Sequence, residues 1–175
     1  MSFLKNAIEL SGGVTHNKQM IFSFSEMTKE DLPEVMRMER ECFASPWTKR
    51  MFKDELESPV SRIILARGEE GALMGFVCLW VILDEAHILN VAVKKRYRRQ
   101  GIGRALVLEA LRRARELGAR MADLEVRSRN TAALRLYEGL GFRLVGFRKG
   151  YYDRPDDDAA LMSLSDIVAL LEESP

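Results

Sequence analysis

Cysteine is scarce in this sequence, and net charge is nearly absent. Cys42 and Cys78 are its two cysteines. Neither has a partner at metal-ligand spacing, so no metal site is expected, and a reducing compartment fits. Cys78 lies in the apolar run MGFVCLWVIL and reads as a small buried hydrophobe. The 27 lysines and arginines and 26 acidic residues balance to +1. A dedicated nucleic-acid protein would carry a basic excess over one face, with aromatics interleaved; here the basic run is local, the net charge is near zero and interleaved aromatics are few. No apolar stretch reaches the roughly 18 residues of a membrane span. The opening MSFLKNAIELSGG has no basic segment followed by a long apolar one, so no secretory leader is expected and a cytoplasmic location is the default. No repeat and no linker rich in Pro or Ser divides the chain.

What is present suits a folded domain. The chain has 175 residues, 47% hydrophobic and 30% charged, enough for one domain with a full core. Residues 1–19 read as a polar, glycine-bearing extension. MIFSFSEM alternates as a strand, and Thr28 with Asp31 makes a capping-box pattern ahead of a helix ending near Phe43. SPW breaks that helix; a second follows with Met51, Phe52 and Leu56 inward and stops before Pro59. SRIILAR, ALMGFVCLWVIL and AHILNVAV then read as three strands, the first two joined by the turn GEEG. Residues 104–117 make an amphipathic helix closed by Gly118. MADLEV is a strand, Asn130 caps a further helix, and FRLVGFR and AALMSL are the last strands before a short helix at SDIVALLEE. This order predicts a single α/β domain, a mixed and mostly antiparallel sheet flanked by helices.

The segment RYRRQGIGRAL, residues 96–106, joins a strand to a helix. A helix start presents unpaired N–H groups and the positive end of a dipole. Gly101 and Gly103 let the main chain curl so that several N–H groups meet one anion, and arginines add charge. The product is a diphosphate site. It lacks the lysine and hydroxyl of a Walker loop, and Leu106 stands where a dinucleotide fingerprint needs its third glycine.

RRQGIGRAL resembles the R/Q-x-x-G-x-G/A acetyl-CoA-binding motif of the GCN5-related N-acetyltransferase (GNAT) superfamily. LEVRSRNTAALRLYEGLGF, residues 124–142, resembles the matching segment of RimI-like N-terminal protein acetyltransferases. DEAHILNVAV and GYYDRPDDDAALMSL are similar in character, so the resemblance covers about residues 20–164. It implies a GNAT-like acetyltransferase domain over 20–164, followed at 165–175 by a short helix or tail. Acetyl-CoA is the implied cosubstrate. Backbone groups of Val91, Ala92 and Val93 are implied to meet its pantetheine arm. Arg99, Gln100, Gly101, Ile102, Gly103 and Arg104 are implied to hold its pyrophosphate, and Asn130 to contact it near the thioester.

The resemblance also implies the acid and base. Moving an acetyl group from a thioester to an amine requires the amine to lose a proton and the thiolate to gain one. A protein α-amine has a pKa of about 7.7–8.0 against about 10.4 for lysine, a gap of about 3.4 kcal/mol, so an N-terminal acceptor needs only a modest base. Glu125 matches the family's proton acceptor and Tyr137 its donor to the CoA sulfur. Without the motif, Glu125 would read as an exposed strand carboxylate and Tyr137 as core. No cysteine or serine sits in an evident nucleophile setting, so direct attack in a ternary complex is expected.

On the acceptor side Glu85 is a candidate second base or amine-binding group, while His87 reads as structural. FASPW and GYYDRPDD correspond to segments that line the peptide site in relatives, with Tyr151 and Tyr152 able to bond a peptide backbone or merely to pack. Asp156–Asp158 reads as turn chemistry or as an attractor for a cationic N-terminus. The acceptor is then a protein N-terminus, a ribosomal protein among the candidates. The segment from Tyr152 to Asp158 is shorter than in the bacterial ribosomal-protein enzymes, and the N-terminal extension is atypical; both leave the acceptor open. A lysine side chain or small amine is the alternative within the fold. An RNA-binding module is the alternative outside it, one whose affinity would fall steeply with salt.

Overall fold

A computed structural model describes residues 21–173. The extension at 1–19 and the last two residues of the tail lie outside the described residues.

The elements follow the predicted order. Strand β1 (Phe22–Glu26) leads through a short turn to α1 (Leu32–Cys42) and α2 (Lys49–Glu57). Strands β2 (Ser61–Gly68), β3 (Leu73–Ile82) and β4 (Glu85–Val93) come next, then α3 (Ile102–Glu116), β5 (Met121–Arg127) and α4 (Thr131–Glu138). Strands β6 (Arg143–Asp153) and β7 (Asp156–Leu164) form the final hairpin, and α5 (Ile167–Glu173) closes the domain. The seven strands make one sheet in the order β1-β2-β3-β4-β5-β7-β6. Every neighbouring pair is antiparallel except β4 with β5. Among the described residues no helix is long and apolar enough to cross a membrane.

Local chemistry explains the boundaries. The Thr28 N–H donates to Asp31 Oδ2 at 2.8 Å, closing the predicted capping box. Pro33 falls in the first turn of α1, where its missing N–H costs no hydrogen bond. Thr48 Oγ1 accepts from the Met51 N–H and starts α2. Helix α3 begins at Ile102, two residues earlier than the sequence suggested, because Gly101 takes φ +81° and turns the chain directly into the helix. Strand β3 is buried on both faces, as expected of a central strand covered by two layers.

The core lies on both sides of the sheet. Ile102, Leu106, Val107, Ala110, Leu111 and Ala114 of α3 pack on one face, with Ile167 of α5. Val35 and Met38 of α1 and Phe52 of α2 pack on the other. Burying each large aliphatic side chain contributes about 1.5–3 kcal/mol. Helix α3 packs closely on the sheet at Gly75, where a Cβ would lie 2.8 Å from Leu106 Cδ1, and 2.6 Å from the Ala92 carbonyl oxygen of the neighbouring strand.

The pairing of β4 with β3 carries one irregularity. The register of β4 on β3 shifts between Ile88, opposite Leu79, and Asn90, opposite Cys78, so Leu89 is an extra residue. A bulge of this kind bends its strand and resets the in–out alternation. Ile88 therefore faces the α3 side, whereas Ala92 faces α1 and Val91 and Val93 turn back to α3.

Candidate active site

The sheet splits at the bulge. β4 pairs with β5 only from Glu85↔Met121 to Ile88↔Leu124. Beyond that point β4 stays with β3 as far as Val93, while β5 stays with β7 as far as Arg127. The two parallel strands thus diverge into a fork with backbone edges on both sides. Lys94 N–H donates to the Met74 carbonyl at 2.9 Å, which fixes the alternation along this half of β4. Ala92 then spends its N–H and C=O on Phe76 of β3, and Val91 and Val93 turn theirs to the fork. Of the three residues expected to offer backbone groups to a cofactor, the structure brings two to the opening and ties Ala92 into the sheet. The Val93 carbonyl is itself met by Arg98 Nε at 3.0 Å.

The glycine loop sits at the open end of β4. Arg99 (φ +60°) and Gly101 (φ +81°) are both left-handed, a backbone pattern that turns successive N–H groups toward one point. Gln100 Nε2 donates to the Arg96 carbonyl at 2.8 Å and braces the loop from within. The first intrahelical bond of α3 is from the Ala105 N–H to the Gly101 carbonyl, so the N–H groups of Ile102, Gly103 and Arg104 have no carbonyl one turn back. A Cβ on Gly103 would rest 3.5 Å from Leu136 of α4, so the start of α3 and the body of α4 stand together.

Glu125 stands at the mouth of the fork, one residue past the last β4–β5 pair. It lies on the face of β5 opposite Leu124 and Val126, which belong to the α3-side core. Its Oε1 is 3.0 Å from Arg148 Nη2, a pair partly open to solvent. Tyr151 is beside it: interaction with the Glu125 carboxylate, with burial adding, lifts the Tyr151 phenol above its ordinary range. Tyr151 and Tyr152 meet edge to face at 5.0 Å, and the Arg127 guanidinium covers the Tyr152 ring at 4.1 Å.

Tyr137 is buried, 6% exposed, and packs edge-on against Phe142 at 5.7 Å. Burial pushes its phenol well above the ordinary tyrosine value, and nearby Tyr152 adds to the shift. It therefore keeps its proton throughout the working pH range. Asn130 Oδ1 accepts from the Ala133 N–H at 3.2 Å and is spent as the cap of α4.

The structure does not bring Glu85 to this mouth. Glu85 opposes Met121, four residues before Glu125, so it sits about 13 Å back along the sheet. There it lies 3.4 Å from His87 Nε2.

Several contacts around the mouth join residues far apart in sequence. Ser45 Oγ, in the loop between α1 and α2, donates to the Arg154 carbonyl of the β6–β7 turn at 3.3 Å. The two segments expected to line the acceptor side therefore meet. Arg127 holds that same turn, with Nη1 on the Pro155 carbonyl at 2.7 Å and Nη2 on the Arg154 carbonyl at 2.9 Å. Two residues of the acidic run are already engaged. Asp157 accepts from Ser128 Oγ at 2.6 Å and the Arg129 N–H at 3.3 Å; Asp158 accepts from Lys149 Nζ at 2.6 Å and the Gly150 N–H at 2.9 Å. Sequence reasoning overlooked Arg127, Arg148 and the buried Glu39. Glu39 had a readable signal: it follows Val35 and Met38 on the inward stripe of α1, where a carboxylate is out of place.

A family profile described as the acetyltransferase (GNAT) family matches residues 32–142. A Bacillus subtilis protein named a putative [ribosomal protein bS18]-alanine N-acetyltransferase is 38% identical over 137 residues, covering 78% of this chain and 90% of the relative. The [ribosomal protein bS18]-alanine N-acetyltransferase of Escherichia coli is 35% identical over 144 residues, covering 81% and 96%. The crystal structure of the ribosomal-protein-S18-alanine N-acetyltransferase from Escherichia coli superposes with a TM-score of 0.75 at 33% identity, covering 82% of this chain and 92% of that one.

Proposed function

The chain belongs to the GNAT acetyltransferase family, and on that premise we propose that it moves the acetyl group of acetyl-CoA to the α-amine of a protein N-terminus. The observation that carries the proposal is the position of Glu125 at the mouth of the β4–β5 fork, with Tyr151 and its neighbour Tyr152 beside it. The acceptor named for its relatives, ribosomal protein bS18, is the first candidate. A cytoplasmic site of action goes with such an acceptor.

The residues fit a CoA thioester. The N–H groups of Ile102, Gly103 and Arg104 answer a diphosphate, and the outward backbone groups of Val91, with the Val93 N–H, answer the amides of a pantetheine arm. Bound there, acetyl-CoA supplies an activated acyl carbon with a thiolate as its leaving group. Arg99 and Arg104 add charge at the phosphate end, and Asn130, with its Oδ1 committed to the cap of α4, offers its Nδ2 to the ligand near the thioester.

Glu125 takes the proton of the incoming ammonium, directly or through one water. An α-amine with a pKa of about 7.7–8.0 asks little of it. Tyr137 holds its proton until the thiolate needs one. Burial makes the phenol a weaker acid, yet the same dry surroundings penalise the thiolate anion, so donor and acceptor shift together. Tyr151 and Tyr152, covered by Arg148 and Arg127 respectively, offer hydroxyls to the first peptide groups of the acceptor.

The test is acetylation of a peptide library with mass-spectrometric mapping of the modified amine. Modification of free α-amines, with the bS18 N-terminus among the best acceptors, supports the proposal. Acetylation of lysine in N-blocked peptides at comparable rates overturns it.

A further inference from the structure

Glu39 is 1% exposed, and among the described residues no lysine or arginine pairs with it. A buried carboxylate without a counter-ion is costly unless hydrogen bonds surround it. Glu39 has them. Oε1 accepts from the Trp47 N–H at 2.9 Å, and Asn90 Nδ2 lies 3.2 Å from both Oε1 and Oε2. Burial raises its pKa, which those same bonds oppose.

Where the two partners sit is the telling feature. Asn90 immediately follows the extra residue Leu89, so it belongs to the bulge at which β4 leaves β5. Trp47 ends the FASPW loop, whose Ser45 reaches the Arg154 carbonyl over the acceptor side. Trp47 is also packed on Phe52 of α2, ring centres 5.4 Å apart. One carboxylate on α1 thus grips the strand beside the cofactor and the loop beside the acceptor. An aliphatic residue would fill the same inward position on α1 but would leave both N–H donors without an acceptor.

We propose that Glu39 is a positioning residue for both substrates, fixing the β4 bulge through Asn90 and the α1–α2 loop through the Trp47 N–H. The inference rests on the reading above, in which acetyl-CoA lies along Val91 and Val93 and the FASPW loop lines the acceptor side.

The direction of the bonds supplies a clean test. Glu39→Gln keeps the shape but replaces an acceptor oxygen by an N–H2 that faces the Asn90 donor. Adding Asn90→Asp reverses that partner. In the double variant the amide oxygen on α1 accepts from the Trp47 N–H, and the amide nitrogen donates to the carboxylate now on β4. For E39Q, KM for acetyl-CoA and KM for the acceptor peptide should each rise about tenfold, as expected for a buried donor left facing a donor. Both should return toward wild type in the double variant. N90A removes only the strand branch and should raise KM for acetyl-CoA more than KM for the peptide; it remains informative if E39Q does not fold. Calorimetric titration with CoA alone reads the strand branch without any acceptor, so a wild-type enzyme inactive on N-terminal peptides would count against the proposed acceptor and leave this measurement intact. A lower melting temperature in E39Q with both KM values and CoA affinity unchanged would reduce Glu39 to a core residue and overturn the inference. So would a double variant that regains its melting temperature but not its KM values.

Discussion

Arg148 Nη2 lies 3.0 Å from Glu125 Oε1, and the same guanidinium covers the Tyr151 ring at 4.8 Å. The group assigned to receive the acceptor's proton is therefore already in contact with a cation. An incoming ammonium must compete with that arginine for the carboxylate. Arg148→Met keeps an apolar stem over Tyr151 and removes the competitor. KM for a short acceptor peptide should fall by about two- to fivefold at low ionic strength, the scale of a solvent-open ion pair. The gain should shrink as salt rises. Steady-state kinetics at two salt concentrations check it; a rise in KM would mean that Arg148 holds the acceptor itself.

Tyr137 carries the opposite kind of prediction, an absence of titration. Its buried phenol is held above the ordinary value of about 10. No basic limb in kcat should come from it below about pH 10. Tyr137→Phe should lower kcat by about 10²-fold or more, evenly across that range, with CoA affinity kept. The same shift bears on stability. A phenol that ionises more easily unfolded than folded contributes fully below its unfolded pKa and loses that contribution as pH rises toward the folded one. Wild type should lose stability above about pH 10 faster than Y137F, as denaturant titrations would show.

Gly101 tests the loop rather than the chemistry. It starts α3 with a φ of +81°, and an alanine there meets about 1–2 kcal/mol of backbone strain. Gly101→Ala should weaken CoA binding by about tenfold and leave KM for the acceptor peptide unchanged. Calorimetry with CoA and peptide kinetics at saturating acetyl-CoA separate the two effects.

Asp157 is a structural counterpart. The Ser128 hydroxyl, with the Arg129 N–H and the Arg129 cation helping, holds its carboxyl below the usual carboxylate range. A depressed carboxylate contributes stability above its unfolded pKa and loses it as pH falls through the folded one. Asp157→Asn should therefore destabilise the protein at neutral pH, and the gap to wild type should narrow below about pH 4. Urea melts at neutral pH and near pH 3 provide the comparison.

These sites differ in how plainly the sequence announced them. Element order and the family were readable because their signals are local: hydrophobic period, caps and a motif with fixed spacing. The fork was not readable. It depends on which strand β4 and β5 each follow after Ile88 and Leu124, and pairing between distant segments leaves no local trace. The assignment of Ala92 to the cofactor overlooked the alternation of backbone groups, which commits Ala92 to β3. Asp156–Asp158 looked like one acidic run, but strand alternation and the turn send Asp157 to Ser128 and Asp158 to Lys149. Arg148 and Arg127 were ordinary surface arginines in the sequence; only β6 and β7 folding beside β5 brings them to Glu125 and Tyr152.

The most direct measurement is the turnover of Glu125→Gln on a peptide with a free α-amine, beside its affinity for CoA. The amide keeps the size and the neighbours of the carboxylate but cannot take the proton. The account predicts a fall in kcat of about 10²- to 10⁴-fold with CoA affinity unchanged. A variant that turns over at the wild-type rate would contradict it, because the fork would then bind the donor without Glu125 serving as its base.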